Sequence, residues 1–360
     1  MCGIMYTPFQ LGNIEISNRF VASAMFEYGA NNGHITEKIK ERYLKLADGG
    51  AGLIITGMQA VCTAGSIGPI MVNTEYNGYI KDIKDIVNSV HERGAKLIVQ
   101  LQHCGNKTGQ SREYDKFDVC ERKISNECIY HSATKDDLKK VINDFATSAL
   151  KCKEAGVDGV QIHGAHGFLI NSFLSPSTNR RIDEYGGKIE NRARLLFEIY
   201  TSIRQIVGSD FIIGIKFPFS DLNKNSIKPD ESIWVCKELE SHGIDFIEVS
   251  SGMIMDNSTA SFIPLIRNTD QAPFLKYASL LAENIKIPVI SVCGYHTLEM
   301  AENALKETKI KAISFRLSFV REPNLPNRWK EDNSRAKCIY CNSCCNSFDD
   351  KIITCQIEKR

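Results

Sequence analysis

His163 and His166 stand three positions apart in QIHGAHGFL, at the end of an apolar run. In an extended strand such residues point to opposite faces. The two imidazoles can therefore serve one site only if the strand ends between them, and Gly164-Ala165 is a cheap place to turn. A structural pair and a functional pair fit that spacing equally well. Lys216 closes the apolar run FIIGIK; an ammonium there is costly to bury unless an anion or an electron-rich group meets it. Gly294 and Arg316 close two later runs, where a backbone cradle and a guanidinium could hold phosphate; a plain surface charge fits Arg316 as well. Cys338, Cys341, Cys344, Cys345 and Cys355 crowd into CIYCNSCCNSFDDKIITC. Such clustering suits a soft metal or an iron–sulfur cluster, with zinc and free thiols as the alternatives.

The elements that must position these groups follow a repeated grammar. A helical pattern ends, a glycine follows, and a β-rich run begins. Gly52 leads into LIITGMQAV, Gly94 into LIVQLQH, Gly156 into GVQIHGAH and Gly243 into FIEVSSG. The preceding helices are amphipathic, with Ile80, Ile83, Val87 and Val90 on one stripe and Leu138, Val141, Ile142, Phe145 and Ala149 on another. Further strands are predicted over 19–25, 211–217, 288–294 and 312–320, and helices over 190–207, 231–241, 274–284 and 297–307. That makes eight strands, each but the last followed by a helix, since Pro323 and Pro326 interrupt the last segment. The alternation predicts an α/β fold, a (β/α)8 TIM barrel. An open, doubly wound sheet is the rival, and no G-x-G-x-x-G follows any strand to support it. Residues 1–18, with Pro8, Gly12 and Asn13, are expected to form a hairpin closing the bottom of the barrel. The barrel domain is expected to run over 1–330 and a cysteine-rich extension over 331–360.

Barrel sites lie at the C-terminal strand ends. Here these ends are Ser23-Ala24-Met25 with Tyr28, Gly57, Gln100 with His103, His163 with His166, Lys216, Ser250-Ser251-Gly252, Gly294 and Phe315-Arg316. The set is rich in hydrogen-bonding groups and glycine and poor in acids, which argues against glycosidase chemistry and a hard-metal site. Lys and Arg number 44 against 43 Asp and Glu, so no general field draws the chain to nucleic acid or an anionic membrane. No apolar run approaches the ~20 residues of a membrane span, and MCGIMYTPFQ lacks the pattern of a secretory signal. The 13 cysteines include Cys152, Cys236 and Cys293 inside predicted elements, as expected of reduced thiols in a cytoplasmic protein.

The segments LGNIEISNRFVASAMFEYGA, LIVQLQHCG, QIHGAHGFLINSFLSPSTNRRIDEYGGKIENRARLLFEI, FIEVSSG and ISFRLSFVREPNLPNRW closely resemble the Old Yellow Enzyme family. The nearest branch is that of the NADH:flavin oxidoreductases and 2,4-dienoyl-CoA reductase-like enzymes, and the resemblance covers about residues 6–345. It implies an FMN-binding barrel that reduces the activated alkene of a small unsaturated carbonyl compound, with NAD(P)H as co-substrate. Ala22, Ser23, Ala24 and Met25 would then line the flavin, Gly57 and Gln100 would touch its ring, and Ser251 would join them. Lys216 would sit by the N1–C2 edge, where a cation favours the reduced form. Gly294, Phe315 and Arg316 would hold the phosphate, and His163 and His166 the substrate carbonyl.

Departures from the family pattern are also legible. Phe168 stands where a proton-donating tyrosine is frequent, which leaves Tyr28 or solvent as the acid. Phe26 replaces a redox-tuning cysteine found in some relatives, and Asn106 a common arginine. Larger relatives place a 4Fe-4S cluster on C-x2-C-x3-C plus a distant fourth cysteine. The resemblance thus implies Cys338, Cys341, Cys345 and Cys355 as ligands, with Cys344 as the alternative to Cys345. A flavin module passing electrons to a separate partner chain through such a cluster is the alternative function, and a homo-oligomer is a further expectation.

Overall fold

A computed structural model describes residues 3–107, 116–125, 128–222, 225–253, 271–346 and 351–357. Eight parallel strands close into a barrel: β1 (Phe20–Ala22), β2 (Leu53–Ala60), β3 (Lys96–Gln102), β4 (Gly159–His163), β5 (Ile212–Pro218), β6 (Phe246–Ser250), β7 (Val289–Val292) and β8 (Ala312–Phe315). Each pairs with the next in chain order, and β8 returns to β1. The strands are buried on both faces, which explains their near-continuous apolar sequences.

The main helices are α1 (Glu37–Asp48), α2 (Tyr79–His91), α3 (Lys135–Glu154), α4 (Arg194–Val207), α5 (Pro229–Ser241), α6 (Leu275–Asn284) and α7 (Leu298–Glu307). The expected stripes are the buried ones: Ile83, Val87 and Val90 on α2, and Leu138, Val141, Phe145 and Ala149 on α3. Thr134 and Asp137 cap α3 reciprocally. Gly94 and Gly156 take φ of 77° and 84° beyond their helices, a turn that a residue with a Cβ resists.

The N-terminal hairpin pairs Phe9–Leu11 with Ile14–Ile16. Its Phe9, Leu11 and Ile16 pack on Leu53, Ile212, Phe246 and Ala312, the first residues of four barrel strands. The N-terminal end of the barrel is thereby sealed with hydrocarbon.

Four details differ from the sequence expectation. The first strand stops at Ala22 rather than at Met25, with only the Ser23 amide still bonded to Phe315 O, at 2.9 Å. The helix predicted over 190–207 is broken at Ala193, with a short helix Ile189–Arg192 before α4. Two short helices, Leu317–Arg321 and Leu325–Glu331, follow β8 despite the prolines. Pro326 lies in a first helical turn, where its missing N–H is not needed. A small sheet of Phe117–Asp118, Arg122–Ser125 and Cys128–Ser132, which no periodicity announced, lies between β3 and α3.

The cysteine-rich extension folds back over the C-terminal end of the barrel. Tyr340, Cys344 and Ile353 share an apolar cluster with Met25, Tyr28, Val292 and Leu317. The Ile353 amide donates to Glu27 O at 2.7 Å, the Lys337 amide to Glu322 Oε2 at 2.9 Å, and the Tyr28 hydroxyl to Cys345 O at 2.9 Å. Among the described residues no helix is long and apolar enough to cross a membrane.

Candidate active site

The strands bring a row of polar side chains into the barrel interior. Lys216 on β5 is the register partner of Glu248 on β6 and of His163 on β4. Its Nζ lies 2.8 Å from Glu248 Oε2 and donates to Ser23 Oγ at 2.8 Å. Ser23 and Ser314 donate to Glu248 Oε1 at 2.7 and 2.6 Å. Gln161 donates to Glu248 Oε2 at 2.9 Å and accepts from Gln100 Nε2 at 2.6 Å. Burial by itself would push the Glu248 carboxyl up; the Lys216 ammonium, with the hydrogen bonds from Lys216, Ser314 and Ser23, outweighs it and holds the group below its usual range. The sequence expectation of a site poor in acids overlooked Glu248. The available signal was one charge in each of two consecutive apolar runs, IIGIK and FIEVS, since neither charge is readily buried alone.

His163 and His166 do share one site. β4 ends at His163, and the chain turns through His166 and Gly167 at φ of 65° and 76°. His163 Nε2 lies 2.9 Å from His166 Nδ1, and His166 Nε2 lies 2.8 Å from Ser250 Oγ. His163 Nδ1 meets Gln102 Oε1. Because that oxygen only accepts, His163 carries its proton on Nδ1, His166 donates from Nδ1 to His163, and Ser250 donates to His166. Burial, then the charge of Lys216, pushes His163 well below the ordinary imidazole range; burial, then His163, Lys216 and Arg316, does the same to His166. Both rings are neutral at physiological pH.

The remaining expected residues gather at the same barrel end. Arg316 donates Nε to Met25 Sδ at 3.0 Å and Nη2 to Cys345 Sγ at 3.7 Å; among the described residues no carboxylate pairs with it. Cys293 and Gly294 take left-handed φ of 71° and 79°. The Phe315 ring is buried against Phe319 and Phe20, so only its main chain faces other duties. Ser251 Oγ is buried without a hydrogen-bond partner among the described residues. Ala22 ends β1, and Ala24 packs on the inner apolar cluster. The Gly57 amide is bonded to Glu27 Oε1 at 2.6 Å, and a Cβ there would meet Glu27 Oε2 at 1.9 Å. This acid, too, escaped the sequence reading. Tyr28 stacks edge-on against Phe26, with ring centres 4.4 Å apart, and burial followed by Cys345 pushes its hydroxyl up to about 12. Phe168 packs on His163 at 5.0 Å, and Asn106 donates to Asp118 at 2.6 Å.

These features fit FMN. Among the described residues, a buried hydroxyl without a partner, a guanidinium whose hydrogen bonds go to sulfur, and a left-handed Cys293-Gly294 turn suit a phosphate-bearing group. The inner lysine suits an electron-rich ring edge.

The C-terminal thiols divide. Cys338, Cys341, Cys344 and Cys355 line one cavity of about 20 Å³, while Cys345 lies on Arg316. That volume holds one water. Among the described residues no three such donors converge closely enough to hold a metal ion. The described thiols thus form no single-ion site, and the 4Fe-4S cluster rests on the resemblance alone.

The signature loop after the histidines is held by its own polar residues. Asn179 Nδ2 donates to Phe173 O and Tyr185 O, both at 2.7 Å. Arg181 Nη1 reaches Val119 O and Ala133 O, both at 2.9 Å, and a Cβ on Gly186 would meet Arg181 O at 2.0 Å. Arg192 ties Leu174 O to Glu231.

The family model described as "NADH:flavin oxidoreductase / NADH oxidase family" matches residues 4–335. An NADPH dehydrogenase of Geobacillus sp. is 33% identical over 257 residues, covering 70% of this chain and 74% of that protein. An NADH oxidase of Thermoanaerobacter brockii is 29% identical over 350 residues, covering 95% of this chain and 53% of that protein. The chain thus spans about half the length of some curated relatives it matches. The solved structure of a 2-naphthoyl-CoA reductase in complex with 2-naphthoyl-CoA superposes with a TM-score of 0.88 at 23% identity, over 98% of this chain and 56% of that one, a likeness of fold.

Proposed function

The chain belongs to the NADH:flavin oxidoreductase / NADH oxidase family, the Old Yellow Enzyme family of the sequence resemblance, and from that premise we propose that it is an FMN-dependent, NAD(P)H-driven ene-reductase of α,β-unsaturated carbonyl compounds. The observation that carries the reading is the hydrogen-bonded histidine pair, in register with a buried lysine, at the mouth of the barrel. When bound, FMN would supply hydride transfer, first accepting from NAD(P)H and then donating to the alkene. Ala22–Met25, Gly57, Gln100, Lys216 and Ser251 would hold its ring and tail, and Gly294, Phe315 and Arg316 its phosphate. Arg316 would exchange its sulfur contacts for phosphate oxygens, a stronger and bidentate match.

The histidines would orient the substrate by its carbonyl oxygen. A carbonyl entering between the rings takes the His166 Nδ1–H in place of His163 Nε2. For His163 to donate as well, its proton must sit on Nε2, which Gln102 permits by turning its amide to present Nε2 to the ring. Two neutral donors polarise the carbonyl without adding a second cation beside Lys216. Phe168 has no proton to give. The Tyr28 phenol, pushed up to about 12, stays protonated across neutral pH and is the acid that the resemblance leaves in place of Phe168. No step of this reaction passes through the C-terminal thiols.

The test is flavin content and turnover. Purified protein should carry FMN, and NADH or NADPH should drive reduction of 2-cyclohexenone. The double variant His163→Ala with His166→Ala should keep FMN and NAD(P)H oxidation while alkene reduction drops by about 10²-fold or more, the scale of a lost oxyanion donor. Wild-type protein that neither holds nor takes up FMN ends this reading.

A further inference from the structure

We propose that Glu248 is a positioning residue for Lys216: it fixes the direction of the ammonium and weakens, by its own charge, the pull of that ammonium on the reduced cofactor. The inference rests on the reading above that FMN binds against Lys216. It concerns a residue that neither the strand-end reading nor the family resemblance assigned a role.

The geometry is closed on every side. Glu248 is fully buried. An ionised carboxylate offers about four acceptor positions, and four donors meet them: Ser23 and Ser314 on Oε1, Gln161 and Lys216 on Oε2. Ser23 takes an N–H from Lys216 and gives its own proton to Glu248. This completes a triangle that leaves Nζ one position to occupy. An ammonium has three N–H groups; two are used on Glu248 and Ser23, and the third has no partner among the described residues. Lys216 and Glu248 face each other in register on adjacent barrel strands, so the backbone of the barrel, rather than a loop, sets their separation.

The charge consequence follows from the distances. Reduction places negative charge on the flavin ring. A lone buried ammonium would favour that charge strongly in a low-dielectric interior. Here a carboxylate oxygen lies 2.8 Å from the ammonium, so the pair acts as a dipole with its positive end at the lysine. The reduced cofactor is favoured less than by a lone cation, and it is correspondingly a stronger hydride donor to the alkene. A buried ion pair kept only for packing predicts something else. Neutral replacements would then serve as well, and the bound flavin would not register the loss of Glu248 while Lys216 remained.

The experiment uses the full chain loaded with FMN. Glu248→Gln removes the negative charge and keeps the shape. Equilibration with redox dyes should give a more positive midpoint potential, by at least tenfold in the oxidised-to-reduced ratio at a fixed poise, or about 30 mV for a two-electron couple. The double variant Lys216→Met with Glu248→Gln should lose that gain and fall to the wild-type value or below. A second readout needs no cofactor. Apo Lys216→Met, left with an uncompensated carboxylate, should show an unfolding constant at least tenfold larger than the apo double variant, in which both charges are gone. The proposal is overturned if Glu248→Gln binds FMN with an unshifted potential. It is equally overturned if the double variant keeps the raised potential, or if apo Lys216→Met is as stable as the double. Wild-type protein that binds no FMN instead overturns the reading on which this rests, and the apo comparison still reports on the Lys216–Glu248 pair.

Discussion

The buried imidazoles make acid stability a residue-scale property. Burial, with a smaller contribution from Lys140, holds His103 at about 3 against an ordinary 6.5, and its Nδ1 accepts the Gly105 amide at 3.1 Å, which requires the neutral ring. The folded value lies below the unfolded one, so the unfolded chain binds more protons as the pH drops. The contribution is complete above pH 6.5 and is lost as the pH falls toward 3. Each such ring adds a slope of up to about 1.4 kcal/mol per pH unit in that window, and His163 and His166 act in the same direction. Denaturant unfolding between pH 7.5 and 5 should show falling stability. His103→Asn, whose side-chain oxygen can still accept from Gly105, should flatten the slope by up to one ring's share. A slope unchanged by that substitution would mean that His103 takes up its proton in the folded state.

At the scale of elements, the two ends of the barrel have separate duties. The N-terminal hairpin seals one end with Phe9, Leu11 and Ile16, and the polar row, the histidines and Arg316 occupy the other. Leu11→Ala, at a fully buried position, should cost about 2–5 kcal/mol of stability. The flavin bound per folded molecule should stay the same, as read by a denaturant melt and released FMN on one sample. Flavin lost in step with Leu11 would show that the two ends are coupled. The same scale explains why the loop over 175–187 has so distinctive a sequence. Asn179, Arg181 and Arg192 tie the loop's backbone to its surroundings, and Gly186 leaves room for Arg181 O. The histidines that do the proposed chemistry precede it on β4 and its turn. The strongest family signature in the chain is thus largely scaffold.

At the scale of the whole molecule, the extension and the barrel mouth form one packed unit. Ile353 is buried beside Met25 and Tyr28, and its amide holds Glu27 O. Met25 and Arg316, two of the residues that would hold the flavin, therefore rest on the extension. Ile353→Ala should cost about 2–5 kcal/mol and raise the FMN dissociation constant by about tenfold, equivalent to ~1.4 kcal/mol. Fluorescence titration of apo protein with FMN checks this, and an unchanged constant would show that the mouth keeps its shape without Ile353.

The sequence by itself determined the barrel, the sealing hairpin and the identity of most groups at the mouth. Glycine punctuation and amphipathic stripes are local signals, and a strand buried on both faces must be apolar wherever it sits. The sequence also required Lys216 to have a partner, because an ammonium closing FIIGIK is not buried alone. It left the partner unnamed. Glu248 meets Lys216 only because β5 and β6 are adjacent and in that register. Glu27 likewise lies against Gly57 only because the chain leaves the ladder after Ala22. The division of the cysteines was equally out of reach. Spacing allowed either Cys344 or Cys345 beside Cys338, Cys341 and Cys355, and the folding of the extension onto Arg316 decided which of them lines the cavity. Neighbours far apart along the chain are set by strand order and by the path of the backbone, which only the closed barrel fixes.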